Sequence, residues 1–101
     1  MQQIQIIKDH MSDTLHEINE YYRDYVIYKD IEPAYAKVAL DLANTHLAIY
    51  DKLHNSVVDM INKYKATGKE IPPSMMEKWN YMHQRLVEEY EKIKFKVKNP
   101  N

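Results

Sequence analysis

An all-α fold of three long amphipathic helices follows from three features of the sequence. Apolar residues recur at steps of three and four through most of the chain, which is the period of one helical face. One Gly and four Pro in 101 residues leave few places to turn the backbone, so the elements must be few and long. There is no Cys, so neither disulfides nor thiolate metal sites can substitute for a core. A chain of this length fits a single domain, residues 1–101, that buries roughly 60–70% of the surface its unfolded form exposes.

The first helix is expected over residues 3–29. Ile4, Ile7, Met11, Leu15, Ile18, Tyr22 and Tyr25 line one face, and Asp9, Asp13, Glu17, Glu20 and Asp24 lie on or beside the other. Asp30-Ile31-Glu32-Pro33 interrupts it, because Pro has no amide to donate and pushes the preceding residue away from helical angles. Pro33 suits the first turn of a new helix.

The second helix, residues 33–66, carries two apolar stripes. One is Tyr35, Val38, Leu42, His46, Ile49, Leu53, Met60 and Tyr64. The other is Ala36, Leu40, Ala43, Leu47, Tyr50, His54, Val57 and Ile61. Two adjacent stripes make a face too wide for one partner, along a helix about 50 Å long.

Gly68 follows Lys63 and Lys65 and fits the left-handed position past a helix C-terminus. Pro72-Pro73 bars continuation, and Ser74-x-x-Glu77 reads as a capping box opening a third helix over 74–97. That helix repeats the spacing with Met75, Trp79, Met82, Leu86, Tyr90, Ile93 and Val97. Residues 92–101 form a basic tail in which the helix is expected to fray.

Short corners make neighbours antiparallel. The result is an antiparallel three-helix bundle built on a long helical hairpin. It brings the Lys-rich end of helix 3 toward the acidic, Tyr-rich end of helix 1. Net charge is −1, which is not the balance of a dedicated nucleic-acid binder. No run of roughly 20 apolar residues marks a membrane span, and the N-terminus has no basic start and apolar run of a signal peptide. With no Cys for disulfides, these features point to an intracellular, cytoplasmic setting.

Five His are present. Asp13-x-x-His16 and Asp51-x-x-His54 each place a carboxylate and an imidazole one turn apart. A ferritin-like metal site using His46, His54 and His83 is conceivable on this pattern, but such sites need several carboxylates pointing into the bundle. The acids here fall on polar faces, so the expectation is no metal and no cofactor. His46, His54 and His83 then read as core residues with hydrogen-bond partners.

Tyr21, Tyr22, Tyr25 and Tyr28, with Val26, Ile27 and Ile31, make the end of helix 1 apolar nearly all round, and Tyr21, Tyr25, Tyr28, Ile27 and Ile31 are its candidate contact residues. Such a helix is covered on more than one side, and Tyr is enriched where subunits meet. A subunit contact is the first reading of this surface, intrachain packing the second and a stacked nucleobase the third. Lys92, Lys94, Lys96 and Lys98 read first as a solvated tail, and second as a basic contact for nucleic acid or an acidic protein. No Gly-flanked nucleophile or phosphate loop occurs, so the chain reads as non-enzymatic.

Glu32-Pro33-Ala34-Tyr35-Ala36-Lys37-Val38, followed by Leu40-Asp41-Leu42-Ala43-Asn44 and Ile49-Tyr50-Asp51-Lys52-Leu53-His54, resembles the central helical hairpin of small terminase subunits from myovirus-like tailed phages. The resemblance covers about 30 residues. It implies a coiled-coil hairpin that assembles into homo-oligomers and takes part in phage packaging, and it carries over no functional residue. The expected function is a self-associating phage assembly, packaging or virion component. The alternative is a small binding module, an inhibitor or a ligand sponge, whose protein partner docks on the Tyr-rich end of helix 1.

Overall fold

The computed structural model describes residues 2–100. It contains three α-helices, α1 (Gln2–Tyr28), α2 (Pro33–Ala66) and α3 (Pro73–Lys98), in a rod of 56 × 19 × 19 Å. The bundle is as the periodicity predicts, with each boundary within two residues of its expected place.

The α1–α2 corner is tight. Ile31 and Glu32 amides both donate to the Tyr28 carbonyl, at 3.1 and 2.7 Å. Glu32 leaves helical geometry at φ −143° and Pro33 opens α2 at its first turn. The other corner uses the one glycine. Gly68 sits at φ +79° and its amide caps Lys65 O at 3.0 Å. This is the left-handed position where a Cβ is penalised.

Two expectations for α3 change. The helix is capped by Pro72, not Ser74: Met75 and Met76 amides bond the Pro72 carbonyl at 3.0 and 3.1 Å. Pro73 takes the N1 place, where its missing amide costs nothing. Ser74 is therefore inside the first turn, and no side chain caps the end. At the other end the helix does not fray. It runs unbroken through Lys98 because Ile93 and Val97 are buried in the core.

Helices α1 and α2 lie closest together, and α3 stands further off. The side chains explain the difference. Ala36, Ala39 and Ala43 are all buried on α2, and short side chains let helix axes approach. Against α3 the filling is bulky: Tyr50, Trp79, Leu86 and Tyr90.

The register is regular. Glu17 meets His46 and Tyr28 meets Tyr35, so equal steps along α1 and α2 connect the two pairs. On the other side His54 meets His83, Tyr50 meets Tyr90 and Asn44 meets Lys98.

The two stripes of α2 have different fates. Ala36, Ala43, Leu47, Tyr50 and Val57 of the second are buried. In the first, Tyr35, Val38, Leu42 and Ile49 are exposed, while Leu53, Met60 and Tyr64 are half-covered. One wide face therefore finds partners along only part of its length.

Candidate functional site

The uncovered stretch has a geometric cause. Helix α3 has 26 residues and α2 has 34. The end of α3 is fixed beside Asn44, where Lys98 Nζ donates to Asn44 Oδ1 at 2.8 Å. Residues 33–43 of α2 extend beyond it, a distance of about 16 Å at the helical rise. Over that length α2 has only α1 to pack on. The Ala face turns inward, and Tyr35, Val38 (55% exposed) and Leu42 are left facing out. Val26, Ile27 and Ile31 (75% exposed) add the α1 side and the corner. The hairpin tip is thus an apolar surface at one end of the rod.

Of the residues expected on this surface, Ile27 and Ile31 are open to solvent. Tyr21, Tyr25 and Tyr28 are half-buried. Tyr21 packs on the His46 ring at 5.0 Å, Tyr22 and Tyr25 lie 6.0 Å apart, and Tyr28 meets Tyr35 edge-on at 4.8 Å. Aromatic rings stiffen the tip and aliphatic side chains present themselves on it. Val26, expected at this apolar end, is also exposed, whereas Val38 and Leu42 were not among the expected surface residues. Their signal was the first stripe of α2, which together with the second exceeds what two neighbours of unequal length can cover.

The basic end is partly committed. Lys98 holds Asn44, and the Lys94 ammonium lies 5.7 Å from the Tyr90 ring centroid. Lys92 and Lys96 are exposed. The end of α3 reaches the level of Asn44, short of the acidic tip, and no ion pair among the described residues joins it to α1.

The three histidines separate. His46 Nε2 meets Glu17 Oε2 at 2.9 Å and its Nδ1 lies 2.9 Å from the Leu42 carbonyl, so it fastens α1 to α2. His54 and His83 stack at 5.2 Å between α2 and α3. Among the described residues no three His, Cys, Asp or Glu groups are placed to hold a metal ion. Asp51 does not serve His54. It accepts the Tyr90 hydroxyl at 2.7 Å.

That Tyr90 bond belongs to a buried pair invisible in the periodicity. Tyr50 and Tyr90 stack face to face at 4.0 Å, 11° from parallel. Tyr90 also reaches the Leu47 carbonyl at 3.2 Å, whereas the buried Tyr50 hydroxyl has no partner among the described residues. Burial, then the Asp51 hydrogen bond, hold the Tyr90 phenol well above its ordinary value. Burial, with Asp51, Glu89 and Glu91 charges behind it, pushes Tyr50 up to about 12.

The asymmetry gives opposite expectations for one chemical change. Tyr50→Phe removes an orphaned hydroxyl and should raise stability by about 1 kcal/mol, while Tyr90→Phe breaks a bond to a carboxylate and should cost about 1.5–3 kcal/mol. Urea midpoints of the two variants check this, and equal losses in both would mean that Tyr50 has a partner.

No helix among the described residues is long and apolar enough to cross a membrane. No known protein family, curated protein or solved structure matches this chain.

Proposed function

We propose that this chain is a non-enzymatic assembly protein that pairs with a second copy of itself through the hairpin tip. The observation that carries this reading is the bare tip, where Val26, Ile27, Ile31, Tyr35, Val38 and Leu42 stay exposed although the chain has a well-filled core elsewhere. Large exposed apolar patches mark contact surfaces.

Charge favours a second copy as occupant. The α1 side of the tip carries Glu20, Asp24, Asp30 and Glu32 against Arg23 and Lys29. The neighbouring end of α3 carries Lys92, Lys94, Lys96 and Lys98, with no acid after Glu91. Both lie toward the same end of the rod. Two copies meeting end to end about a two-fold axis set the lysines of each beside the carboxylates of the other, an isologous contact. The resemblance of the stretch of about 30 residues that opens at Glu32-Pro33 to phage small terminase hairpins supports a place in phage assembly or packaging.

Light scattering at micromolar concentration should give a multiple of the 12.1 kDa chain mass. Val38→Asp with Leu42→Asp should return the monomer with unchanged helical circular dichroism, because both positions are exposed in one chain and buried only in a pair. A wild-type monomer sinks the proposal. If that monomer binds another protein through the same residues, the tip belongs to a binding module instead.

A further inference from the structure

A second feature lies near the opposite end of the rod and is independent of the tip. Lys8 is 3% exposed. It occupies the inner face of α1, four residues after Ile4 and three before Met11, both buried. A buried ammonium is costly unless paired, yet among the described residues no carboxylate lies within 4 Å of it. It lines a cavity of about 270 Å³ with His54 of α2 and His83 and Asn80 of α3. The remaining walls are Val57, Val58, Ile61, Met76 and Trp79, and no acid is among them. Each helix thus contributes one basic side chain to a shared, largely apolar space. The two imidazoles stack there at 5.2 Å rather than bonding to a carboxylate.

We infer that this cavity is a binding site for a small organic anion, a carboxylate or phosphate ester with an apolar body. The oxyanion would meet the Lys8 ammonium and the imidazoles of His54 and His83, with the Asn80 amide beside them. The apolar body would lie on Trp79, Val57 and Ile61. A cation is disfavoured, because an ammonium faces the two imidazoles and no carboxylate offsets it.

The pH dependence follows from the same groups. The charged or titratable side chains facing the space are Lys8 from α1, His54 from α2 and His83 from α3. Burial first, then the Lys8 and His54 charges, lower the His83 pKa from its ordinary value, and burial lowers that of Lys8. A depressed His83 is neutral in the fold while the unfolded chain still binds a proton. Stability from this group is therefore full above about pH 6.5 and declines as pH falls through the folded value. A bound oxyanion reverses that loss by pairing with the charged ring, so binding tightens on acidification.

Trp79 is the only Trp in the chain and lines the cavity, so its fluorescence reports occupancy directly. Benzoate and phenyl phosphate serve as probes, with sodium chloride at equal ionic strength as the control. The expected result is a saturable change in Trp79 emission with either probe, tighter at pH 6 than at pH 8, and a raised melting temperature. Lys8→Met should weaken binding about tenfold or more, the worth of one charge-assisted hydrogen bond. It should not cost stability, since Met replaces a desolvated cation. His83→Gln should weaken the pH dependence while leaving residual binding, with His54→Gln added to remove the rest, and it covers the case in which Lys8→Met does not fold. No saturable change with either probe at pH 6 overturns the inference. So does binding that Lys8→Met and His83→Gln leave unaltered.

Discussion

Trp79→Ala should lower the unfolding free energy by about 3–5 kcal/mol, the largest loss expected from any single substitution. Trp79 is almost fully buried near the start of α3. That helix stands off from α1 and α2 and is held by bulky side chains rather than by close backbone approach. Removing the largest of them takes away much of the apolar area that seats the first turns of α3, in a domain whose whole margin is of order 5–15 kcal/mol. Chemical denaturation followed by circular dichroism measures the effect. A loss below about 1 kcal/mol would place the indole outside the core.

Ile18→Ala comes next, at about 2–5 kcal/mol. Ile18 is 0% exposed and sits where Glu17 meets His46, beside the alanine-lined seam of α2. The cost of a cavity depends on how far its walls can relax. Ala43, the buried alanine that this register places nearest Ile18, has no side-chain length to swing into a hole, and the helices at this seam already lie close. The cavity should persist and the loss should fall in the upper part of the range. Ile6→Ala on the exposed face of the same helix is the control, expected within about 0.5 kcal/mol of wild type. Similar effects at both positions would mean that α1 is rotated from the face described.

The helices were legible in the sequence because three local signals coincide in each. Periodicity marks the face, Pro33 and Gly68 mark the ends, and the Pro pair bars read-through. The false capping box at Ser74 shows the limit of such signals. Two prolines in a row already fix the backbone of the first turn, and Pro73 claims N1 before Ser74 can cap. Lys8 was passed over for a different reason. The stripe Ile4, Ile7, Met11 accounts for the apolar residues, yet Ile4, Lys8, Met11, Leu15, Ile18 is the stripe that is buried. The two differ by one position, and hydrophobicity alone chooses Ile7 over a lysine whose long stem can reach through the core. The tip was only half legible. An excess of apolar surface is visible in the doubled stripe, but its location depends on where α3 runs out. That follows from the register in which Ile93 and Val97 seat α3, marked by the contact of Lys98 with Asn44 across 54 positions of sequence.

Pro33 carries one more consequence. Helical hairpins can open at the corner into one continuous rod, and two opened chains can then exchange arms. Here the straightened form would put Pro33 in the middle of a helix, lacking an amide and clashing with the carbonyl one turn back, at about 3 kcal/mol or more per chain. Glu32 before it would also have to enter an angular region that a following proline disfavours. The corner therefore works as a latch. It keeps each chain folded back on itself, so the pairing proposed above would join finished units without exchanging α1.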